Sequence, residues 1–437
     1  MLLRLKVKNF LSFYEEAIFD MFPNLKRTTF QNHIYQDMEI PLLKQAAIYG
    51  ANGSGKSNLL DTINLIRFFA IEKDFLKKVN IPLNKFQLSS NKNVEPISIS
   101  IEFLQKDKYF IYEIEINDFE IQKEKLYQSG VGSNENQLIF SRTDKDFMSP
   151  NPVGEEVQAA TNQLVKLNPM SSLLSLNNEF PIIQDERVNM VYKWFEEQVQ
   201  VLSIHRVNPS IISVMSKNPK LLQFANKLFS NIGLGIESLD IKELKLSEIM
   251  SDDSEESSRM KEDIIDRLKG GNVAKMKNDR VLYAVEKVKG EEVVKKFIFK
   301  QNGLNDFLGE LEYEAQSDGT ARILNLIPAL YDLIERQCVY FIDEIENSIH
   351  PSLMIAIMKF FSETKTKGQL IFTTHETELL NQQELMRPDE VWFTEKRNGN
   401  SHLYSLNDFK LHNTINIKNG YMEGRYGAIP FIGSLGE

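Results

Sequence analysis

The sequence is poor in cysteine, in tryptophan and in long apolar runs. Of 437 residues one is cysteine, Cys338, and two are tryptophan. A single cysteine excludes a disulfide framework and is typical of a reducing compartment; beside an apolar run, we expect a buried thiol. No stretch reaches the ~20 apolar residues of a membrane span, and residues 1–10 lack the apolar centre of a signal peptide. We therefore expect a soluble, cytoplasmic protein that makes no membrane contact.

An excess of positive charge is also missing. Lysine and arginine total 51 against 61 for aspartate and glutamate, a formal net charge of −10. This balance argues against a protein that coats nucleic acid with its whole surface, whereas a local basic groove stays compatible with it. Hydrophobic residues at 42% and charged residues at 26% are ordinary globular values. A chain of this length fits about two or three domains.

One stretch matches a phosphate-binding motif at every fixed position. Residues 50–57 read Gly-Ala-Asn-Gly-Ser-Gly-Lys-Ser, the P-loop pattern, between the apolar run 46–49 and a helix predicted from residue 58 to about 75. Glycines let successive N–H groups point into one cradle. We predict that Lys56 binds the β- and γ-phosphates and that Ser57 binds Mg²⁺. The other nucleotide-binding residues predicted here are Gly50, Asn52, Gly53, Ser54, Gly55 and Asn58.

A second apolar run, residues 338–342, ends in Asp343 and Glu344. In P-loop NTPases such an Asp completes the Mg²⁺ shell, and the Glu is placed to orient the attacking water. A third run, 369–372, ends in Thr-Thr-His375. Alternating strands and helices predict an α/β fold with a mixed, largely parallel sheet and nucleotide at the carboxyl ends of its strands.

Other patterns interrupt this α/β framework. Alternation over 97–103 and 109–116 predicts an antiparallel β layer, and helical spacing dominates 155–239. A polar, acidic segment starts at residue 252, and residues 280–299 predict a hairpin. We divide the chain into an N-terminal part with P-loop and β layer (1–145), a helical and mixed insertion (146–300) and a C-terminal part (301–437).

Two further features narrow the class of NTPase. Gln-Ser-Asp-Gly-Thr at 316–320 precedes the helix 321–334 that leads to the Asp-Glu strand, and His375 follows the next strand. This order resembles the head of ABC-type ATPases. The opening residues 5–10, followed by residues 50–58, resemble the SMC, RecF and OLD branch of these ATPases. Within that branch the chain resembles the RloA- and AbiL-like abortive-infection ATPases, with PtuA and AriA more distant. The residues that carry the resemblance to this subgroup are 174–177, 317–320, 343–351, 373–376 and 420–430.

The resemblance implies a homodimer that sandwiches two ATP molecules. Ser317 and Gly319 of one subunit would face the γ-phosphate held by Lys56 of the other, and His375 would sense that phosphate. Residues 317–320 would cap the helix that follows, and the exposed N–H groups of that helix would attract the phosphate as well. Asp318 replaces the usual signature glycine, so we expect its side chain to turn away from the triphosphate or to cap the helix.

Two assignments stay open. Gln87 is the candidate for the Q-loop glutamine, which would contact nucleotide and Mg²⁺; an ordinary surface glutamine is the other interpretation. His350 either reaches across the dimer or caps the helix near Pro351. The remaining histidines, which show no metal-ligand spacing, are His33, His205, His402 and His412.

The resemblance predicts an ATP hydrolase that controls a separate effector nuclease or toxin in anti-phage abortive infection. Few residues follow the tail motif, too few for the TOPRIM domain of OLD proteins, so cleavage would need a partner. The alternative is a RecF- or SMC-like DNA-binding ATPase in repair; a scaffold with little hydrolysis is disfavoured by Glu344. The basic residues available for nucleic-acid contacts are Lys217, Lys220, Lys227, Lys275, Lys277 and Arg280.

Overall fold

The computed structural model describes residues 1–89, 95–118, 120–132, 134–143, 146–150, 154–203, 210–245, 283–288, 291–380, 385–410 and 416–430. The chain divides into two compact units. The first comprises 1–202, 333–345 and 358–437, and the second comprises 203–332 and 346–357. The three-part division by sequence stays a prediction, and the segment 252–271 and residue 280 lie outside the described residues.

A seven-stranded antiparallel sheet confirms the predicted β layer and adds the N-terminal strands to it. Alternating apolar residues give each central strand one face toward the core. A separate pair joins β3 (Ile34–Tyr35) to β4 (Leu42–Leu43). In spatial order the large sheet is β10 (Phe147–Met148), β9 (Gln137–Thr143), β8 (Glu120–Gln128), β7 (Lys108–Asn117), β6 (Ile97–Gln105), β1 (Leu2–Lys8) and β2 (Ala17–Asp20).

The predicted α/β sheet is present with six strands. In spatial order they are β11 (Val199–Ser203), β16 (Val339–Asp343), β17 (Gln369–Thr373), β5 (Gln45–Gly50), β18 (Val391–Arg397) and β19 (Asn400–Ser405). β16, β17, β5 and β18 pair in parallel, and β19 is antiparallel to β18. Every residue of β5 is buried, as expected for a parallel strand covered on both faces. The α/β fold class is confirmed.

The helices of the first unit lie mainly around one core. The first unit contains α1 (Lys56–Ile71), α2 (Phe75–Lys78), α3 (Ile81–Asn84), α4 (Glu155–Leu167), α5 (Leu173–Glu179), α6 (Glu186–Lys193) and, near the end of the chain, α11 (Ile417–Met422). Buried residues of α1 share one cluster with both large sheets. The prediction that this helix reaches residue 75 was wrong: Glu72 is extended and Asp74 is left-handed at φ 56°. The Ser171 hydroxyl holds this turn: it accepts from Asp74 N at 2.8 Å and donates to Asp74 Oδ1 at 3.1 Å.

The second unit contains a smaller antiparallel sheet. The long β14 (Glu291–Asn302) pairs with β12 (Ile236–Lys245) on one side and with β13 (Tyr283–Val288) and β15 (Leu308–Glu312) on the other. Its helices are α7 (Ser210–Lys217), α8 (Pro219–Asn231) and most of α9 (Asp318–Glu335), and α10 (Pro351–Glu363) begins there. No helix within the described ranges has the length and apolar character needed to cross a bilayer.

The expectation of helix throughout 155–239 was wrong at two places. β11 and the start of β12 are strands. β11 reads Val-Gln-Val-Leu-Ser and lies at the edge of the six-stranded sheet beside β16. Pairing with a distant strand outweighs the helical spacing on either side, because local propensity is worth well below about 1 kcal/mol per residue.

The Leu-Ser-Leu-Asn stretch at 174–177 has a structural role. It forms most of α5, whose first N–H groups at Leu173 and Leu174 donate to the buried Glu124 carboxylate. Arg142, also buried, lies 3.6 Å from Glu124. Burial raises the pKa of Glu124, and Arg142 opposes that shift. The Glu124 carboxylate therefore accepts from the N–H groups at the start of α5 and is compensated in charge by Arg142.

Candidate nucleotide-binding site

The loop between β5 and α1 requires glycine at two positions. A Cβ on Gly50 would lie 2.4 Å from Thr394 Oγ1, and one on Gly55 would lie 2.5 Å from Ser401 Oγ. Gly55 is also left-handed at φ 114°, a conformation that other residues rarely adopt. The loop is thus pressed against the β18–β19 hairpin, and its backbone has no space for larger residues there.

Hydroxyl groups from distant parts of the chain hold this loop. Ser401 Oγ donates to the Ser54 carbonyl at 2.6 Å and lies 2.7 Å from Ser12 Oγ. Ser12 Oγ also accepts from Asn58 Nδ2 at 2.7 Å, and Ser54 Oγ lies 2.6 Å from Thr394 Oγ1. Sequence reasoning found Ser54 and Asn58 but missed Ser12, Thr394 and Ser401. No local signal marks them, because their partners lie far away along the chain.

The Lys56 side chain folds back against the phosphate-binding loop. Its side chain is buried, and its ammonium donates to the Gly50 carbonyl at 2.8 Å and the Ala51 carbonyl at 3.3 Å. These bonds place the positive charge inside the ring of loop backbone. The N-terminus of α1 adds its free N–H groups and its positive dipole end at the same place. Asn52 and Gly53 are exposed at the tip.

Ser57 and Asp343 meet at the carboxyl ends of the strands, as predicted. Ser57 Oγ donates to Asp343 Oδ2 at 2.9 Å, and Thr373 Oγ1 donates to Asp343 Oδ1. A hydroxyl and a carboxylate side by side are the hard oxygen donors that Mg²⁺ prefers. These residues therefore fit the predicted metal, although no group of three His, Cys, Asp or Glu side chains suited to a metal occurs in the described residues.

Glu344 has a strained backbone. It is left-handed at φ 46°, a conformation that costs a non-glycine residue about 1–2 kcal/mol. Thr373 stabilises it twice: its Oγ1 accepts from Glu344 N at 2.8 Å and its carbonyl accepts from Ile345 N at 3.2 Å. Strain of this kind is concentrated at functional sites, in keeping with the role predicted for Glu344.

Negative charge accumulates beside the Ser57–Asp343 pair. Asp61 lies one turn after Ser57 on α1. Partial burial raises the pKa of the Asp61 carboxyl, and the Asp343 carboxylate raises it further. A bound cation would relieve this repulsion.

His375 lies two residues after the end of β17 and is exposed. The chain around it is anchored on both sides. Thr374 N donates to the Ile48 carbonyl at 3.1 Å, and the hydroxyl of Tyr49 donates to the Glu376 carbonyl at 3.0 Å. Both partners belong to the P-loop strand β5. The histidine therefore lies on a loop whose position is coupled to that strand.

The Ser-Asp-Gly-Thr stretch lies in the second unit. Ser317 Oγ accepts from Thr320 N at 3.2 Å, so Ser317 caps α9 as predicted. Asp318 is exposed in the first turn, where a carboxylate favours the helix dipole. A Cβ on Gly319 would lie 3.0 Å from the Ser348 carbonyl, and Arg322 Nε donates to the Asn347 carbonyl at 3.0 Å.

The open assignments receive only local contacts. Gln87 is exposed, and its amide donates to the carbonyls of Pro82 and Lys85 in its own loop; its Q-loop role stays a prediction. His350 Nδ1 accepts from Ser352 N at 3.2 Å, which caps α10.

The other histidines and the basic residues named from sequence lie in several places. His33 is buried, and its Nδ1 lies 2.8 Å from Glu390 Oε1. Among the basic residues, Lys217 pairs with Glu286 at 3.0 Å, whereas Lys275, Lys277 and Arg280 lie outside the described residues, as do His205 and His412.

A strand, a glycine loop with a buried lysine, a helix, and an Asp-Glu pair at the end of a parallel strand together define a P-loop ATPase. The chain belongs to the family described as "AAA domain, putative AbiEii toxin, Type IV TA system", whose sequence model matches residues 46–381. Membership implies ATP binding. The match runs from the P-loop strand past His375.

Solved structures similar to this chain include heads of SMC proteins. A head bound to the C-terminal winged-helix domain of ScpA has 14% identity and a TM-score of 0.45, covering 92% of this chain and 97% of its own. An SMC head domain from Thermotoga maritima has 12% identity and a TM-score of 0.41, and the match covers 94% of this chain and 99% of that one. A Pyrococcus furiosus head with an extended coiled coil, bound to the C-terminal domain of ScpA, has 15% identity and a TM-score of 0.38. The match covers 92% of this chain and 96% of that one. No curated protein matches the chain.

The serine that supports the loop gives a test of its geometry. Replacing Ser401 by Ala removes the hydroxyl that donates to the Ser54 carbonyl. We expect about a five- to tenfold weaker affinity for a fluorescent ATP analogue, because one hydrogen bond is worth about 1 kcal/mol. Ser362→Ala is the matched control, since it removes a buried serine hydroxyl bonded to the Met358 carbonyl. Equal affinity in Ser401→Ala and wild type would show that the hairpin does not shape the site.

Proposed function

We propose that this chain hydrolyses ATP as a homodimer and that its nucleotide state controls a separate effector, a nuclease or toxin, in abortive-infection defence against phage. The observation that carries hydrolysis is the meeting of Ser57, Asp343 and Thr373 beside Glu344. That arrangement puts a metal-binding pair and a carboxylate next to a loop built for phosphates.

The residues divide the work of phosphoryl transfer between them. Loop N–H groups and the Lys56 ammonium neutralise the phosphates, which is the larger part of catalysis in such enzymes. Ser57 and Asp343 would hold Mg²⁺, which supplies positive charge to the phosphate oxygens. Glu344 orients the attacking water and accepts its proton. His375 would contact the γ-phosphate and report its loss to the loop that follows β17.

A shared site explains the features of the Ser317 helix end. Ser317 caps α9, and Ser317 and Asp318 are exposed. A capped helix end with accessible N–H groups attracts an anion, and the γ-phosphate held by Lys56 of a second subunit is the anion that we propose. Asp318 would then have to turn away from the triphosphate, as expected from the sequence.

The proposed biological role has two supports. The family description refers to a toxin of a type IV toxin–antitoxin system, and the motifs at 174–177 and 420–430 resemble RloA- and AbiL-like ATPases. A repair ATPase that binds DNA remains the alternative proposed from sequence. Of the basic residues named for that alternative, Lys217 pairs with Glu286 at 3.0 Å, and Lys217, Lys220 and Lys227 are all exposed.

Glu344→Gln tests the proposed hydrolysis. The change removes the proton acceptor while keeping the side-chain shape, so turnover should fall about 10²- to 10⁴-fold and ATP affinity should stay within about twofold. Phosphate release and nucleotide titration measure the two quantities. Glu335→Gln, at an exposed carboxylate at the end of α9, is the control and should behave as wild type. Unchanged turnover in Glu344→Gln would overturn the assignment.

Expression of the chain alone tests the separate effector. We expect cells that produce wild type, Lys56→Ala or Glu344→Gln to grow equally, and the purified chain to leave plasmid DNA and total RNA intact. Growth curves and gel electrophoresis measure these outcomes. Growth arrest by wild type that Lys56→Ala abolishes would contradict the proposal and would make the chain itself the toxic component.

A further inference from the structure

The segment 416–430 packs against the rest of the first unit, to which it belongs. α11 is capped by Asn416, whose side chain accepts from Asn419 N at 2.9 Å. Gly424 and Gly427, both left-handed at φ 76° and 70°, turn the chain after it. Tyr421 is buried, whereas Met422 next to it is 60% exposed. The segment therefore has one buried aromatic face.

That face docks on the strands beside the P-loop. Phe393 of β18 is fully buried, and the rings of Tyr421 and Tyr426 stack on it at centroid distances of 5.4 and 6.0 Å. Tyr404 of β19 donates to the Tyr426 carbonyl at 2.7 Å. A Cβ on Gly427 would lie 2.7 Å from the Tyr404 hydroxyl. The aromatic and glycine positions of the tail are thus explained by docking.

Tyr49 connects the docked tail to the His375 loop. It is the residue before Gly50 in β5, and its ring meets that of Tyr421 edge-on at 5.7 Å. Its hydroxyl donates to the carbonyl of Glu376 at 3.0 Å. One side chain therefore contacts the tail with its ring and holds the residue after His375 with its hydroxyl.

The tail also contacts this loop directly. α11 packs against the 3₁₀ turn Thr377–Leu380, which follows His375. An ion pair joins Lys418 of α11 to Glu378 of that turn. Tail and turn are exposed at this pair, so the contact is weaker than the aromatic one.

We propose that Tyr49 and Tyr421 are positioning residues for His375. The docked tail fixes Tyr49, and the Tyr49 hydroxyl fixes the loop that presents the histidine to the γ-phosphate. Hydrolysis depends on this chain of contacts, whereas nucleotide binding, which the P-loop and Lys56 provide, does not. The kinetic part of this inference rests on the proposed ATPase function; the structural part does not.

Tyr49→Phe tests it with the smallest change, since the ring stays and only the hydroxyl is lost. We expect kcat for ATP to fall about five- to tenfold while the dissociation constant of ATP stays within about twofold. Amide hydrogen exchange of residues 374–380 in the nucleotide-free protein should become faster. Tyr35→Phe is the matched control, because it removes a tyrosine hydroxyl that donates to the Gly368 carbonyl at 2.7 Å; it should leave kcat and the exchange of 374–380 at the wild-type values.

Two variants of Tyr421 test the contribution of the tail. Tyr421→Ala should reproduce both effects of Tyr49→Phe. Tyr421→Phe keeps the ring on Tyr49 and loses only a long hydrogen bond to the Ala428 carbonyl at 3.3 Å, so both quantities should stay within about twofold of wild type. Wild-type exchange of 374–380 in Tyr49→Phe would overturn the inference, even if kcat fell. Absence of hydrolysis in wild type, with faster exchange in Tyr49→Phe, would instead refute the proposed function and leave the positioning role standing.

Discussion

The hydrogen bonds that Asp343 accepts from Ser57 and Thr373 join three elements at one point. Ser57 begins α1, Asp343 ends β16 and Thr373 ends β17. Thr373 in turn accepts from the amide of Glu344. The strained turn after β16, the Ser57–Asp343 pair and the start of the histidine loop therefore depend on a single cluster. A shift of the helix start or of either strand end would displace all three.

The P-loop depends on a second constraint, which comes from the other side of β5. The β18–β19 hairpin presents Thr394 and Ser401 to the loop at hydrogen-bond distance. Gly50 and Gly55 permit this approach, because a side chain at either position would collide with those hydroxyls. Tight contact in a close-packed interior therefore fixes the shape of this loop.

Local patterns predicted where the candidate site residues lie, because each motif follows the end of a strand. Lys56, Ser57, Asp343 and Glu344 could be found this way, and so could the cap formed by Ser317. The hydroxyl support could not be found, since Ser12, Thr394 and Ser401 reach the loop only through tertiary pairing. The same limit explains β11, where pairing with β16 outweighed helical spacing nearby. Gln87 was chosen only for its place between the P-loop helix and the β layer. Its side chain contacts only its own loop in the hydrogen bonds described above, so its role stays a prediction.

The central claim is that each ATP site is built from two chains, and mixing two inactive variants tests it most directly. Lys56→Ala disables the phosphate-binding half, and Ser317→Arg disables the half contributed to the partner. In an equimolar mixture half of the dimers are mixed, and each mixed dimer has one intact site, so about a quarter of the wild-type ATPase activity should return. Each variant alone should stay inactive. A mixture that is as inactive as its two components would contradict the account.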